Sequence, residues 1–239
     1  MTKPAPKQPA PPAARLREWV KSIVVALLIW LVLRTFVIES FRIISGSMER
    51  TLLVGDWLFV SKALYGASIP LLHAHLPAIR QPRRGDIVVF RSVEGDFEVV
   101  KRIIGLPGDT LSMRHGRVYR NGVPLVEPYV VHRDSTVSAG PEDRARMRAW
   151  QIGHVVGLDT ASYHPDVQDW GPLVVPRDSL FMMGDNRDDS ADSRYWGLLP
   201  RANVRGEALF VYYSYDPGSW RSWPFLTAIR WGRLLARPH

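Results

Sequence analysis

The chain has 239 residues, 46% hydrophobic and 23% charged, the balance of a folded protein with room for one sizeable domain or a core domain plus an insertion. It holds no cysteine, which excludes a disulfide scaffold and any thiolate metal or redox centre. The net charge is +8, and half of it lies in residues 1–21, where Lys3, Lys7, Arg15, Arg17 and Lys21 face only Glu18. A basic head before an apolar run points to membrane topology; a nucleic-acid binder would cluster its charge on the folded part.

Residues 1–14 are Pro/Ala-rich without an apolar period and read as a flexible tail, part of a cytoplasmic segment 1–18. Ser22–Leu33 follows, twelve residues without a charge, then Arg34 and Thr35–Ile38. A membrane span needs about 20 apolar residues, and Val20–Ile38 reaches that length if Lys21 and Arg34 snorkel near its ends. Residues 19–38 are therefore expected to be a transmembrane anchor, with a cleaved signal peptide, a buried core helix and a membrane-surface helix as its competitors. No small-x-small site follows Leu33, which disfavours cleavage. The basic flank then places the tail inside and everything after Ile38 across the membrane.

Beyond the anchor the pattern is short strands and turns. Trp57–Ser61, Asp86–Ser92, Phe97–Ile104, Leu180–Met183 and Arg205–Tyr215 are β-branched or aromatic runs. Asn121-Gly122 inside Arg117–Val126 marks a tight hairpin turn. Residues 132–172 are polar with little periodicity and read as an insertion or long excursion. Phe225–Arg237 mixes apolar and arginine residues, which fits either a helix on the membrane surface or one packed on the domain. Long helical periods are otherwise absent, so the body is expected to be mostly β.

Three features are candidates for chemistry. In Ser45-Gly46-Ser47-Met48, Gly46 allows a sharp turn that presents Ser47 at a strand end, with an ordinary turn as the competing reading. Lys101 is one of only five lysines against 26 arginines, and lies inside Val99-Val100-Lys101-Arg102-Ile103. Strand alternation puts it on the face of Val99 and Ile103, with Arg102 opposite. Lost hydration lowers a lysine's pKa, and a shift of about three units turns it into a usable general base. The competing reading is a strand-edge lysine that reaches water. The third feature is Gly184 to Gly197, GDNRDDSADSRYWG, which reads either as a solvated loop or as a segment where a charge-assisted Asp192–Arg194 brace sets the Ser190 hydroxyl toward a neighbouring site. Of the rival candidates, Lys62 sits at the polar end of its strand. His73 and His75 lack a third metal ligand. His132, His154 and His164 fall in the polar insertion.

Together and in this order, SGSM (45–48), RRGDIVVF (83–90), VKRIIGLPGD (100–109) and GDNRDDSADSRYWG (184–197) resemble the bacterial type I signal peptidases, membrane-bound serine endopeptidases that remove signal peptides from exported preproteins. The resemblance spans roughly residues 20–224. It implies Ser47 as nucleophile and Lys101 as general base. It implies Ser45 as an oxyanion-hole hydroxyl beside the Ser47 N–H, and Ser190 as the group that orients the lysine. Asp192 and Arg194 would brace the site, and Phe41, Ile43, Val99 and Val100 would line the substrate pockets. Ile44 and Arg50 stand where many members have proline.

The implied fold is two antiparallel sheets with an inserted β subdomain, preceded by one transmembrane helix. Residues 39–109 and 177–216 would form the catalytic core, 110–176 the insertion, and 217–239 a basic amphipathic segment. No cofactor, metal or nucleic acid is implied; the partners would be preprotein signal peptides and the lipid bilayer of the inner membrane. A Ser-Lys pair needs no histidine. Ser47 also lies nine residues past Ile38, about 30 Å of extended chain, so the site cannot be far from the membrane surface. Two other readings compete: a dedicated Ser-Lys maturation peptidase of a conjugation or pilus system, and a non-catalytic membrane-anchored β scaffold.

Overall fold

The computed structural model describes residues 12–32, 34, 37–66, 68–69, 74–75, 77–132 and 138–239; His73 lies outside them. Helix α1 (Pro12–Val32) opens with proline in its first turn, where the missing N–H costs nothing. Arg15, Arg17, Glu18 and Lys21 occupy its first ten residues, leaving an uncharged stretch of Ser22–Val32. No helix of the described residues is long and apolar enough to cross a membrane. The expected helical anchor over 19–38 is thus corrected at both ends: the helix starts at Pro12, its last described residue is Val32, and Ile38 already opens a strand.

That strand, β1 (Ile38–Arg42), starts a mostly β body. It is followed by β2 (Asp56–Ser61), the short β3 (Ser68–Ile69) and β4 (Ala74–His75), then β5 (Ile87–Arg91) and β6 (Glu98–Gly105). Next come β7 (Thr110–Arg114), β8 (Arg117–Arg120), β9 (Val123–Pro124) and β10 (Trp170–Val174). The last strands are β11 (Ser179–Met183), β12 (Leu199–Pro200) and β13 (Val204–Ser214). A seven-stranded antiparallel sheet runs β1-β2-β13-β5-β6-β11-β12, and a four-stranded antiparallel sheet runs β10-β7-β8-β9. The protein is therefore mostly β and built on two principal antiparallel sheets, with β3 and β4 pairing by themselves.

Burial explains why the central strands are continuous apolar runs. In β5, Ile87 and Val89 face a cluster with Ile43, Met48, Leu52, Leu58 and Val211, while Val88 and Phe90 face one with Ile103, Leu180 and Met182. A strand covered on both faces shows no polar alternation. The four-stranded sheet, drawn wholly from residues 110–174, packs Leu111, Met113, Val118 and Trp170 against Phe181 and Met183 of β11. Its core is shared with the large sheet. The Asn121-Gly122 hairpin forms as its sequence demands, with φ of 53° and 80° at the two residues.

Two expectations are corrected. Within 132–172 the chain forms α2 (Pro141–Gln151), with Glu142 and Asp143 in its first turn and Arg148 in its last. Only Met147 and Gln151 are buried, so the inward stripe is two residues wide and leaves no visible apolar period. After the short α3 (Ser193–Trp196), the C-terminal stretch forms no long helix; it holds α4 (Pro224–Thr227) and a single 3₁₀ turn, Trp231–Arg233. Its backbone is used otherwise. Leu235 N–H donates to Val211 O at 2.7 Å and Ala236 O accepts from Val211 N at 2.9 Å, where β13 departs from regular pairing with β2. Arg233 reaches the buried Asp56 carboxylate at 2.5 Å.

Candidate active site

The chain between β1 and β2 folds back on itself, closed at its base by Ile43 N–H to Asp56 O and Gly55 N–H to Ile43 O, at 2.8 and 2.9 Å. At its tip Gly46–Met48 make one 3₁₀ turn that carries Ser47 inward to burial. The loop after β11 holds this turn from below, with Asn186 N–H donating to Ser47 O at 3.1 Å. Arg50, just beyond, has φ 77°. A proline ring locks φ near about −65°, so the arginine permits a left-handed turn that proline forbids.

Lys101 pairs with Val88 in the centre of the sheet and is 2% exposed. Its Nζ donates to Ser47 Oγ at 2.5 Å. Burial pushes the amine down to about 8; Asp192 and Asp185 favour the charged form and Arg194 opposes it. Ser45 Oγ lies 3.5 Å from Ser47 Oγ, on the same turn. The alternation argument holds: Lys101 shares its face with Val99 and Ile103, whereas Arg102 points the other way.

Asp192 and Arg194 form a buried bidentate pair, Nε to Oδ1 at 2.8 Å and NH2 to Oδ2 at 2.9 Å. Asp192 also accepts from Gly184 N–H at 3.1 Å. Arg194 donates to the carbonyls of Arg187 and Val167 at 2.6 and 3.3 Å, tying the loop together. Burial opposes ionisation of Asp192, but the Arg194 guanidinium and the Lys101 amine outweigh it and hold the carboxyl below its usual range.

Ser190 is buried beside Gly184 and the Ser47 carbonyl, yet its hydroxyl makes no hydrogen bond. The expected bond to Lys101 is absent in this conformation, in which the amine donates to Ser47 instead. Above the pair lies a cleft of about 430 Å³ whose walls include Ile43, Ile44, Val99, Val100, Ala191 and Trp196. Phe41 does not join it; it packs with Val100 on the cluster of Leu58 and Val60, while β1 meets the cleft at its last residue, Arg42, and just beyond it at Ile43 and Ile44.

Sequence reading missed a second buried pair. Arg102 holds Asp185 bidentately, Nε to Oδ1 at 2.8 Å and NH2 to Oδ2 at 2.6 Å, and lies 3.7 Å over the Tyr129 ring. Thr51 Oγ1 donates to the same carboxylate at 2.5 Å, so the strand of Lys101, the loop of Asn186 and the turn of Ser47 are joined through Asp185. An arginine facing away from Lys101 inside an apolar strand was the available sign, since a buried guanidinium requires a carboxylate partner. Of the rivals, Lys62 pairs with Glu39 at 3.5 Å, His132 with Asp188 at 3.2 Å, and no group of three metal-ligating side chains occurs among the described residues.

A family model described as signal peptidase, peptidase S26, matches residues 16–213. A signal peptidase I of Pseudomonas aeruginosa is 39% identical over 223 residues, covering 87% of this chain and 74% of its own. A signal peptidase I of Leptolyngbya laminosa is 35% identical, with 88% and 90% covered. One from Bacillus licheniformis is 34% identical, with 84% and 90% covered.

Proposed function

The chain belongs to the signal peptidase family, peptidase S26, as a hydrolase of the bacterial type I group, and from that premise we propose that it is a membrane-anchored serine endopeptidase working through Ser47 and Lys101. The observation that carries this reading is the 2.5 Å contact between a buried lysine and a serine on a tight turn. A neutral Lys101 amine takes the Ser47 proton, Oγ attacks the scissile carbonyl, and an acyl-enzyme forms. The lysine then returns its proton to the leaving amine, and activates the water that releases the signal peptide. Ser45 and the Ser47 N–H supply the oxyanion donors, each worth about 10²–10³ in rate. Ser190 orients the lysine once Ser47 is acylated and no longer accepts its hydrogen bond. Asp192 and Arg194 brace the loop, and Ile43, Val99 and Val100 form shallow pockets for the small-x-small motif.

Anchoring rests on α1 together with the apolar residues that follow it in the sequence to Ile38, since α1 by itself is not long and apolar enough to cross a membrane. Its uncharged residues from Ile23 to Leu31 are exposed on every side of the helix, including Leu27, Leu28, Ile29 and Trp30, each more than half exposed. A helix apolar all round belongs in another protein's core or in lipid, and the basic residues before it support a cytoplasmic orientation of that end at the inner membrane. Residues 39–109 and 177–216 then act as the catalytic core on the exported side, with 110–176 inserted between them and 217–239 packed behind.

The test uses detergent-solubilised wild type, Ser47→Ala, Lys101→Ala and Lys101→Arg with a preprotein carrying an Ala-x-Ala site, the fragments sized by mass spectrometry. Cleavage after that site by wild type only is expected, because guanidinium cannot act as a base near pH 7. Equal cleavage by all four overturns the Ser-Lys assignment. An intact preprotein with every enzyme favours a dedicated maturation peptidase or a silent scaffold.

A further inference from the structure

A second trough of about 550 Å³ lies between the tip of the β5–β6 hairpin and helix α2, walled by Val93 and Glu94, by Arg146, Ala149 and Trp150, and by Trp196. Glu94 and Trp196 also line the catalytic cleft, so the two spaces adjoin along a shared wall. The walls are held in place. Trp150 Nε1 donates to Arg194 O at 3.1 Å, its ring packs 6.3 Å from Phe181, and Arg146 pairs with Glu94 across the gap.

The direction follows from β6. If small side chains at the first and third positions before the cut rest on Val99 and Val100, earlier residues run along β6 away from Lys101, past Glu98 and Phe97. Ser92 N–H pairs with Phe97 O at 2.8 Å, so Val93 to Asp96 form the hairpin tip. Extended chain rises about 3.3 Å per residue, which places Glu94 roughly three to five substrate residues beyond the third position.

We propose that this trough is a subsite for the substrate segment upstream of the small-x-small motif, taking an apolar side chain against Trp150 and Trp196 with the Arg146–Glu94 pair at its edge. The proposal rests on the peptidase reading above and extends it to helix α2, which belongs to the insertion. Aromatic walls suit a large aliphatic side chain, and the exposed ion pair suits the polar backbone and neighbours of an extended peptide.

Two peptides sharing one Ala-x-Ala site test this, one with four residues before the scissile bond and one with ten, including leucines about six to eight residues before it. Full-length wild type in detergent should show a KM about tenfold lower for the long peptide, on the scale of apolar pocket discrimination. Ala149→Trp fills the trough from an exposed helix position. It should abolish that advantage while leaving kcat/KM for the short peptide unchanged. Equal KM values in wild type, an unaltered advantage in Ala149→Trp, or an equal loss on both peptides overturns the subsite and leaves the catalytic reading standing. Failure of wild type to cleave either peptide overturns both.

Discussion

At the scale of single residues, the proposed base is set by burial against charge. Four groups act on the Lys101 amine: Asp192, Asp185 and Asp189 favour protonation and Arg194 opposes it, while burial outweighs them and leaves the amine at about 8. Only the neutral amine accepts a proton, so kcat/KM should rise with pH along a single titration centred near 8. A flat profile between pH 6 and 9 removes Lys101 from the mechanism. Asp189 is exposed on the cleft wall, and its carboxylate favours the protonated amine. Asp189→Asn should therefore shift the rising limb to lower pH; an upward shift contradicts the assigned charges. Stability follows with a definite sign. The folded pKa lies below the unfolded one, so the unfolded chain binds more protons between pH 8 and 10.5 and stability rises across that window. Below pH 8 the full cost of charging a buried amine is present, so Lys101→Met should be the more stable protein there by up to about 3 kcal/mol, with the difference fading towards pH 10.5. Urea unfolding at pH 6.5 and 10 measures it.

At the scale of elements, the site is a junction of three pieces: the turn of Ser47, the strand β6 and the loop from β11 to α3. Gly184 is where the first and third meet. A Cβ there would lie 2.3 Å from Ser190 Oγ and 2.5 Å from the Ser47 carbonyl oxygen. Gly184→Ala must push the nucleophile turn away from Lys101, and should lower kcat at least about 10²-fold with a smaller change in KM. Unchanged kcat would mean that the turn repositions without loss. The same junction explains which parts were legible. Ser47, Asp192 and Arg194 were identified through the motifs that carry the resemblance, whereas Lys101 stood out by itself as a lysine inside an apolar strand. The Arg102–Asp185 pair did not, because its partners are 83 positions apart and only the β6–β11 pairing brings them together. Helix α2 escaped because the stripe it buries is two residues wide. The C-terminal arginines and apolar residues read as an amphipathic helix, but Arg233 was claimed by buried Asp56 and the backbone of 235–236 by Val211.

At the scale of the molecule, α1 stands apart from the β body, its described side chains exposed. A chain lacking residues 1–34 should stay folded, with a melting temperature within a few degrees of the full protein. It should partition into the aqueous phase of a detergent separation, whereas the full chain follows the detergent. A collapse of the β fold on this deletion would assign α1 a structural role instead.

The resemblance carried by the motifs supplied the residues proposed for the chemistry, and the sequence by itself determined the strands of the core, the NG hairpin and the order of the motifs. These depend on local alternation, turn conformations and rare residue types, all written in neighbouring positions. Only the tertiary structure decided where the helices begin and end, that the insertion shares its core with the large sheet, and that Lys101 is sealed from water with its amine on Ser47. Those outcomes depend on which distant segments cover a surface, and burial is a property of neighbours in space rather than in the chain.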